Sequence, residues 1–330
     1  MIPDQQKIAE KQKDAKNILV IKHGAFGDII QSDGAFQDIR ENHPGATITM
    51  LTTPPYQSIM ERCPWVDQVI IDDRARRWNL PAMWRLRKML RRGRFDMVYD
   101  LQNSPRTAFY YRWFLRNTPW SGTARGCSHP HLASKPKTIR SLERFAGQLR
   151  DAGLQVKHTL QPDVSWMASN IGKLLSNSGI KKPYIVLIPG SSARHPKKRW
   201  PHYGALASQL LADGLSVVTV PGPDEIELCR TLPGTMLMGA HGAVLDWFDL
   251  AGILKNATFV VGNDTGPTHL ASHMNVPGIA LFGSHMPAER TGIERPAFQA
   301  IQVPKLRRLS IERVYQELKR DLINAYSKSA

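Results

Sequence analysis

The sequence predicts an α/β protein of two domains, each built on a parallel sheet. Apolar runs of strand length alternate with longer segments of helical period along nearly the whole chain. The alternation starts twice, at Asn17 and again near Tyr184, with no internal sequence repeat. At 330 residues and 42% hydrophobic content the chain is long enough for two cores.

Residues 1–16 are polar and charged, and with little apolar surface to bury they read as a flexible leader. The first domain, 17–160, opens with a strand at 18–21, the glycine-bearing loop Lys22-His23-Gly24-Ala25-Phe26-Gly27-Asp28, and a helix to about Asn42. A strand at 46–52, a short helix at 55–62, a strand at 66–71, a helix at 80–92 and a strand at 95–101 follow. Between 104 and 131 aromatic and basic residues interleave without a clear period, which predicts a helix and then a mobile loop around 126–137. A helix at 139–152 closes this half, and 157–164 reads as a crossover. The second domain, 161–305, begins with a helix near 165–178. Strands are then predicted at 184–188, 215–220, 235–238, 258–261 and 278–282, with helices at 203–213, 224–232, 244–255 and 268–274. The remaining segment, 306–330, holds a helix at 310–325 that follows both sheets and is placed to cross back over the first domain.

Lys and Arg number 44 against 28 Asp and Glu, a formal net charge of +16, so an anionic partner or substrate is expected. Nucleic acid, anionic lipid and phosphorylated glycan all fit that charge. The cysteines at 63, 127 and 229 are far apart and odd in number, which argues against a disulfide framework or a zinc site and for a reducing cytoplasm. No apolar run approaches the ~20 residues of a membrane span, and residues 1–16 lack a signal-peptide core, so any membrane contact should be peripheral.

Open parallel sheets bind ligands beyond the carboxyl ends of their strands, and two sheets that face one another make a cleft. The stretch Val260-Val261-Gly262-Asn263-Asp264-Thr265-Gly266-Pro267-Thr268-His269 reads as strand, tight loop and helix start, a seat for a phosphate. Asp264 or Thr265 could equally cap that helix, and His269 could face a ligand or sit in the core. A second loop, Pro189 to Pro201, offers Ser191 and Ser192 as donors and Lys198 as a cation for a leaving diphosphate. In a third, Asp224 or Glu225 could accept from a ribose or cap a helix. Asp28 could be a general base on an acceptor hydroxyl or an N-cap. The chain has no G-x-S-x-G elbow, P-loop or HExxH, its Gly24 and Gly27 do not make GxGxxG, and Asp72-Asp73 lacks Asp-x-Asp spacing.

With Gly27-Asp28, Lys198-Arg199-Trp200-Pro201, Gly262-Asn263-Asp264-Thr265-Gly266 with His269, Leu281-Phe282-Gly283 and Arg290-Thr291-Gly292 in order, the chain resembles glycosyltransferase family 9, the lipopolysaccharide heptosyltransferases. The resemblance implies a GT-B fold of two Rossmann-like domains facing across a cleft, and inverting transfer without a metal or other cofactor. It implies a nucleotide sugar, ADP-heptose in the best-known members, on the C-terminal domain and an acceptor such as the lipopolysaccharide inner core on the N-terminal one. By position it makes Asp28 the catalytic base, gives the diphosphate to Ser191, Ser192, Lys198 and the backbone of Thr265 and Gly266, counts Asp264 and His269 with the donor nucleotide site, and puts Asp224 near the ribose. The chain departs from the pattern at Lys22, where an arginine is common, and at Ser32-Asp33-Gly34, where a proline is usual. There Asp33 adds a second carboxylate that could alter acceptor choice.

The acceptor half is strongly basic. Arg74, Arg77 and Arg125 are candidates for an anionic acceptor, and the run to Arg94, with Trp78 and Trp84 among its cations, suits anionic headgroups of the inner membrane leaflet. A cytoplasmic enzyme peripheral to that membrane, with no nucleic acid as partner, is therefore expected. Two other readings stay open: a non-catalytic protein of the same fold binding RNA or another polyanion, and a transferase with another donor or a protein or exopolysaccharide acceptor.

Overall fold

In the computed structural model the chain divides into two compact units, Met1–Pro162 and Asp163–Ala330. Residues 15–131, 140–192 and 195–327 are described, with side chains through 322. The expected leader up to residue 14 and residues 132–137 of the expected mobile loop lie outside the described residues.

The first unit runs β1 (Asn17–Ile21), α1 (Phe26–Gln31), α2 (Asp33–Asn42), β2 (Thr47–Thr52), α3 (Gln57–Arg62), β3 (Gln68–Ile71), α4 (Leu80–Arg92), β4 (Met97–Asp100), α5 (Pro105–Trp113), β5 (Trp120–Gly122), β6 (His129–Pro130) and α6 (Ser141–Asp151). Its sheet has the order β3-β2-β1-β4-β5-β6, with every pair parallel. β1 is apolar from Ile18 to Ile21 and wholly buried there, as a central parallel strand covered on both faces must be. α4 starts where Asn79 Oδ1 accepts from the Ala82 N–H (3.2 Å) and Pro81 fills the first turn, and it buries the stripe Met83, Leu86 and Leu90.

The single helix expected up to Asn42 is two. Ser32 interrupts it, its hydroxyl donating to the Asp28 carbonyl (2.6 Å), and α2 begins beside the crossover segment. Gly34 is needed there because a Cβ would fall 2.3 Å from the His158 carbonyl oxygen. Asp38 fastens the same crossover by accepting from the backbone N–H groups of Lys157 and Thr159 (2.9 Å each) and from the Thr159 hydroxyl (2.6 Å). Asp33, expected as a second carboxylate for the acceptor, is instead buried with Trp65 Nε1 3.4 Å from its Oδ2.

The second unit carries α7 (Gly172–Asn177), β7 (Tyr184–Ile188), α8 (Tyr203–Ala212), β8 (Ser216–Thr219), α9 (Ile226–Arg230), β9 (Thr235–Met236), α10 (Trp247–Lys255), β10 (Phe259–Asn263), α11 (Gly266–His273), β11 (Gly278–Phe282), β12 (Phe298–Gln302) and α12 (Ile311–Ser327). Its parallel sheet has the order β12-β11-β10-β7-β8-β9. The helix expected to cross back over the first domain packs into this unit's own core. Val314, Leu318 and Leu322 of α12 join Trp200, Tyr203 and Leu210 and so share with α8 the cover of that side of the sheet. The Tyr315 hydroxyl donates to Asp213 (2.5 Å), and Trp200 Nε1 donates to the Leu309 carbonyl (2.9 Å).

Candidate active site

In the second unit β7 and β10 are neighbours, so their loops leave the same edge side by side. Asn263, the last residue of β10, joins the loops. It is fully buried, its Nδ2 donates to the Pro189 and Gly190 carbonyls (2.9 and 3.0 Å), and its Oδ1 accepts from the Trp200 N–H (3.1 Å) and the Tyr203 hydroxyl (3.3 Å). One residue earlier, Gly262 lets α11 begin close against the strand: a Cβ there would stand 2.2 Å from Thr268 Oγ1. Thr265 occupies the N-cap position with extended backbone, but its side chain caps nothing. The first turn of α11 therefore presents the Gly266 end of a helix with no side-chain acceptor of its own, the electrostatic requirement for an anion.

Asp264 is the hub of the loop. Its Oδ2 accepts from Lys198 Nζ (2.6 Å) and lies 2.8 Å from His285 Nε2, and its Oδ1 lies 3.2 Å from His269 Nε2. Burial pushes the Asp264 carboxyl up, but the hydrogen bond and charge of His269, with those from Lys198 and His285, outweigh burial and hold it well below the usual carboxylate range. Lys198 and His269, expected as ligand groups, thus meet on one carboxylate. Lys198 is a quarter exposed and His269 is buried. Ser191 is also buried, and its hydroxyl donates to the His195 carbonyl (3.0 Å) while accepting from Arg199 Nε (3.2 Å). Its hydroxyl braces the loop, whereas Ser192 is exposed.

The acidic residue turned toward the β7 loop is Glu225. Its Oε2 accepts from the Gly222 N–H (2.9 Å), and its carboxyl group fills the space over Gly190, where a Cβ would fall 1.9 Å from Glu225 Cδ. Asp224, the acid expected near the ribose, is exposed. Gly190, two residues past the end of β7, leaves the room that the Glu225 carboxyl group takes. His285 was missed, although it follows the carboxyl end of β11, the strand beside β10.

In the first unit Asp28 is exposed in the opening turn of α1, and its Oδ2 accepts from the Ala25 N–H (3.1 Å). It caps the helix and offers a carboxylate to solvent at once. Lys22, at the end of β1, is buried. Its Nζ donates to the Leu101 carbonyl over a long 3.4 Å and lies 4.9 Å above the Phe145 ring. Burial pulls its pKa down to about 8, against the attraction of Asp28 and Asp100. Asp72 accepts from Arg106 Nε (2.9 Å) and Nη2 (2.8 Å), from the Tyr110 hydroxyl (2.5 Å) and from the Arg74 N–H (2.8 Å). That network fixes where the basic segment leaves β3. The Arg74, Arg77 and Arg125 side chains are exposed, with Arg77 5.8 Å from the centre of the Phe109 ring. Among the described residues no group of three or more His, Cys, Asp or Glu side chains could hold a metal ion, and no helix is long and apolar enough to cross a membrane.

A sequence model of glycosyltransferase family 9 (heptosyltransferase) matches residues 83–315. The chain is 25% identical over 302 residues to lipooligosaccharide heptosyltransferase 2 of Haemophilus influenzae, covering 82% of this chain and 84% of that protein. It is 26% identical over 302 residues to lipopolysaccharide heptosyltransferase 2 of Escherichia coli, covering 82% and 83%. Among solved structures, a glycosyl transferase family 9 protein from Veillonella parvula superposes with a TM-score of 0.80 at 20% identity, over 95% of this chain and 99% of that one. An Escherichia coli heptosyltransferase solved with ADP gives 0.70 at 20% identity, over 92% and 99%. These structural likenesses fix the fold, two Rossmann-like α/β units of the GT-B class. The chain belongs to glycosyltransferase family 9, the heptosyltransferase family, and is a glycosyltransferase.

Proposed function

We propose that this enzyme transfers heptose from ADP-heptose, with inversion and without a metal, to an anionic glycolipid of the lipopolysaccharide inner-core type at the cytoplasmic face of the membrane. The observation that carries the reading is the joining of two strand-end loops through Asn263 around an uncapped helix start, with Lys198 at its edge. The relatives named above as heptosyltransferases, and the one solved with ADP, favour that donor and acceptor.

In the reaction Asp28 takes the proton of an acceptor hydroxyl, whose oxygen attacks the anomeric carbon as the bond to the diphosphate breaks. Charge develops on the departing ADP, and donors fixed in advance stabilise it: the backbone N–H at Gly266 and the helix dipole behind it, Lys198, and the exposed Ser192. His269 and His285 hold Asp264, and Asp264 in turn holds Lys198. Glu225, poised over Gly190, accepts from a ribose hydroxyl in the role first given to Asp224. Arg74, Arg77 and Arg125 receive acidic groups of the acceptor.

The test is transfer from ADP-heptose by chelator-treated wild type and Asp28→Ala, with nucleotide binding followed by thermal unfolding in ADP, UDP, GDP and CMP. ADP alone should stabilise both proteins, by about 2.7 kcal/mol at 100 times its dissociation constant. Transfer should survive chelation in wild type and fall by a factor on the order of 100 or more in Asp28→Ala. Stabilisation by another nucleotide would change the donor, and full turnover by Asp28→Ala would remove the assigned base.

A further inference from the structure

The outer face of α4 is basic and aromatic, and the mechanism above makes no use of it. Every charged residue from Arg74 to Arg94 is a cation. With Met83, Leu86 and Leu90 turned inward, α4 exposes Trp84 (59%), Lys88, Arg91 and Arg92. Lys88 Nζ lies 4.9 Å over the Trp84 ring, and the Arg112 guanidinium lies 5.6 Å from the ring of Trp113, which is 60% exposed.

Between the last turn of α4 and the segment after α5 is a cavity of about 270 Å³ lined by Arg87, Arg91, Arg94, Trp113 and Arg116. A second hollow of about 450 Å³ continues along α4 and shares Arg87, Arg91 and Arg94. No acidic side chain lines either one. Among the described residues the guanidinium groups of Arg87, Arg91 and Arg94 have no carboxylate within ion-pair distance, although three such groups crowd together. The negative end of α4 favours cations in its last turn. It does not account for two exposed tryptophans or for the hollow between them.

The position separates this hollow from the acceptor site. Arg94 and Phe95 lead into β4, and Asn117 and Thr118 lead into β5, so the cavity stands at the amino ends of those strands. The Asp28 loop, Asp72 and Asp100 lie at the carboxyl ends of β1, β3 and β4. The two sites occupy opposite edges of one sheet.

We infer that the arginine-lined hollow at the end of α4 docks the phosphate headgroups of an anionic phospholipid membrane, apart from the site that takes the acceptor sugar. Guanidinium forks match phosphate oxygens two at a time, and tryptophan settles at the level of the headgroups. The inference rests on the glycolipid reading above for the presence of a membrane and adds the surface by which the chain meets it.

The experiment uses the full chain and sedimentation with vesicles of phosphatidylcholine, alone and with added phosphatidylglycerol. Wild type, R87A/R91A/R94A, the single exposed change R91E, and a charge-matched control K173A/K181A/R313A in the second unit are compared, with melting temperature as a check on folding. Partition onto the anionic vesicles should fall on the order of 100-fold in the triple variant, markedly in R91E, and little in the control. Transfer to a delipidated, water-soluble acceptor glycan should be unchanged in all four proteins. Equal partition by wild type and both pocket variants, an equal loss in the control, or binding of an RNA oligomer through the same arginines without vesicle binding would overturn the inference. Vesicle binding that depends on the pocket in a protein with no transfer to any glycan would leave the docking site standing and remove the heptosyltransferase reading.

Discussion

Lys22 shows what burying one ammonium group costs the fold. Its ammonium is buried with one long hydrogen bond and an aromatic ring, and no carboxylate lies within ion-pair distance among the described residues. A folded-state pKa near 8 against an ordinary 10.5 means that the native state binds fewer protons than the unfolded chain between those values. Stability should therefore rise as pH increases from 8 to 10.5, and at neutral pH the buried charge costs on the order of 3 kcal/mol. Lys22→Met should raise the unfolding free energy at pH 7 by up to that amount and flatten the alkaline rise, as denaturant titrations across this range would show. A variant that is less stable at pH 7 would mean that the charge is better solvated than its surroundings imply. The sequence marked Lys22 as a departure from the family pattern, yet burial of its ammonium depends on Phe145 and Leu101, far away in the chain. The loops that carry Asp28, Lys198 and Asp264 were legible because their residue types stand out locally, whereas the meeting of Lys198, His269 and His285 on the Asp264 carboxylate was not. The turn that aims Glu225 over Gly190 and leaves Asp224 exposed could not be read either, since nothing local distinguishes two adjacent acids.

At the scale of elements, the donor side depends on one amide that ties two loops about seventy positions apart. Asn263→Ala would leave the carbonyls of residues 189 and 190 and the N–H of Trp200 without their buried partner. The expected loss is on the order of 3–5 kcal/mol in chemical denaturation, together with nucleotide binding. Loss of binding with full stability would assign Asn263 to the ligand rather than to the loops. The alternation of apolar runs revealed the long strands, with Tyr184–Ile188, Gly278–Phe282 and the helix Leu80–Arg92 found to the residue. It missed β5 and β6, which at three and two residues are too short to show a period, and β12, an edge strand whose buried residues, Phe298 and Ile301, are three apart and so do not follow the strand period. It also ran α1 and α2 together, because nothing in the local pattern reveals the Ser32 hydroxyl turning back on Asp28.

For the molecule as a whole, the two parallel-sheet units were evident from the repeated alternation, but the place of the last helix was not. Its apolar face fits any open core, and its place shows only in the cluster that Val314, Leu318 and Leu322 form with residues of the second sheet and α8. Leu318→Ala should lower stability by about 2–5 kcal/mol in denaturant titration, as a fully buried leucine does when the space it leaves cannot close. A loss under 1 kcal/mol would mean that α12 is dispensable to the core. In genetic terms, every motif shared with the family ends by Gly292, so a nonsense codon after it would spare all of them on paper. A stop before Leu322 would nevertheless strip Trp200 and Tyr203 of part of their cover, beside the loop that holds Lys198. Truncated alleles should thus lose activity with every site residue encoded, and a sequence census of intact motifs would count them as functional.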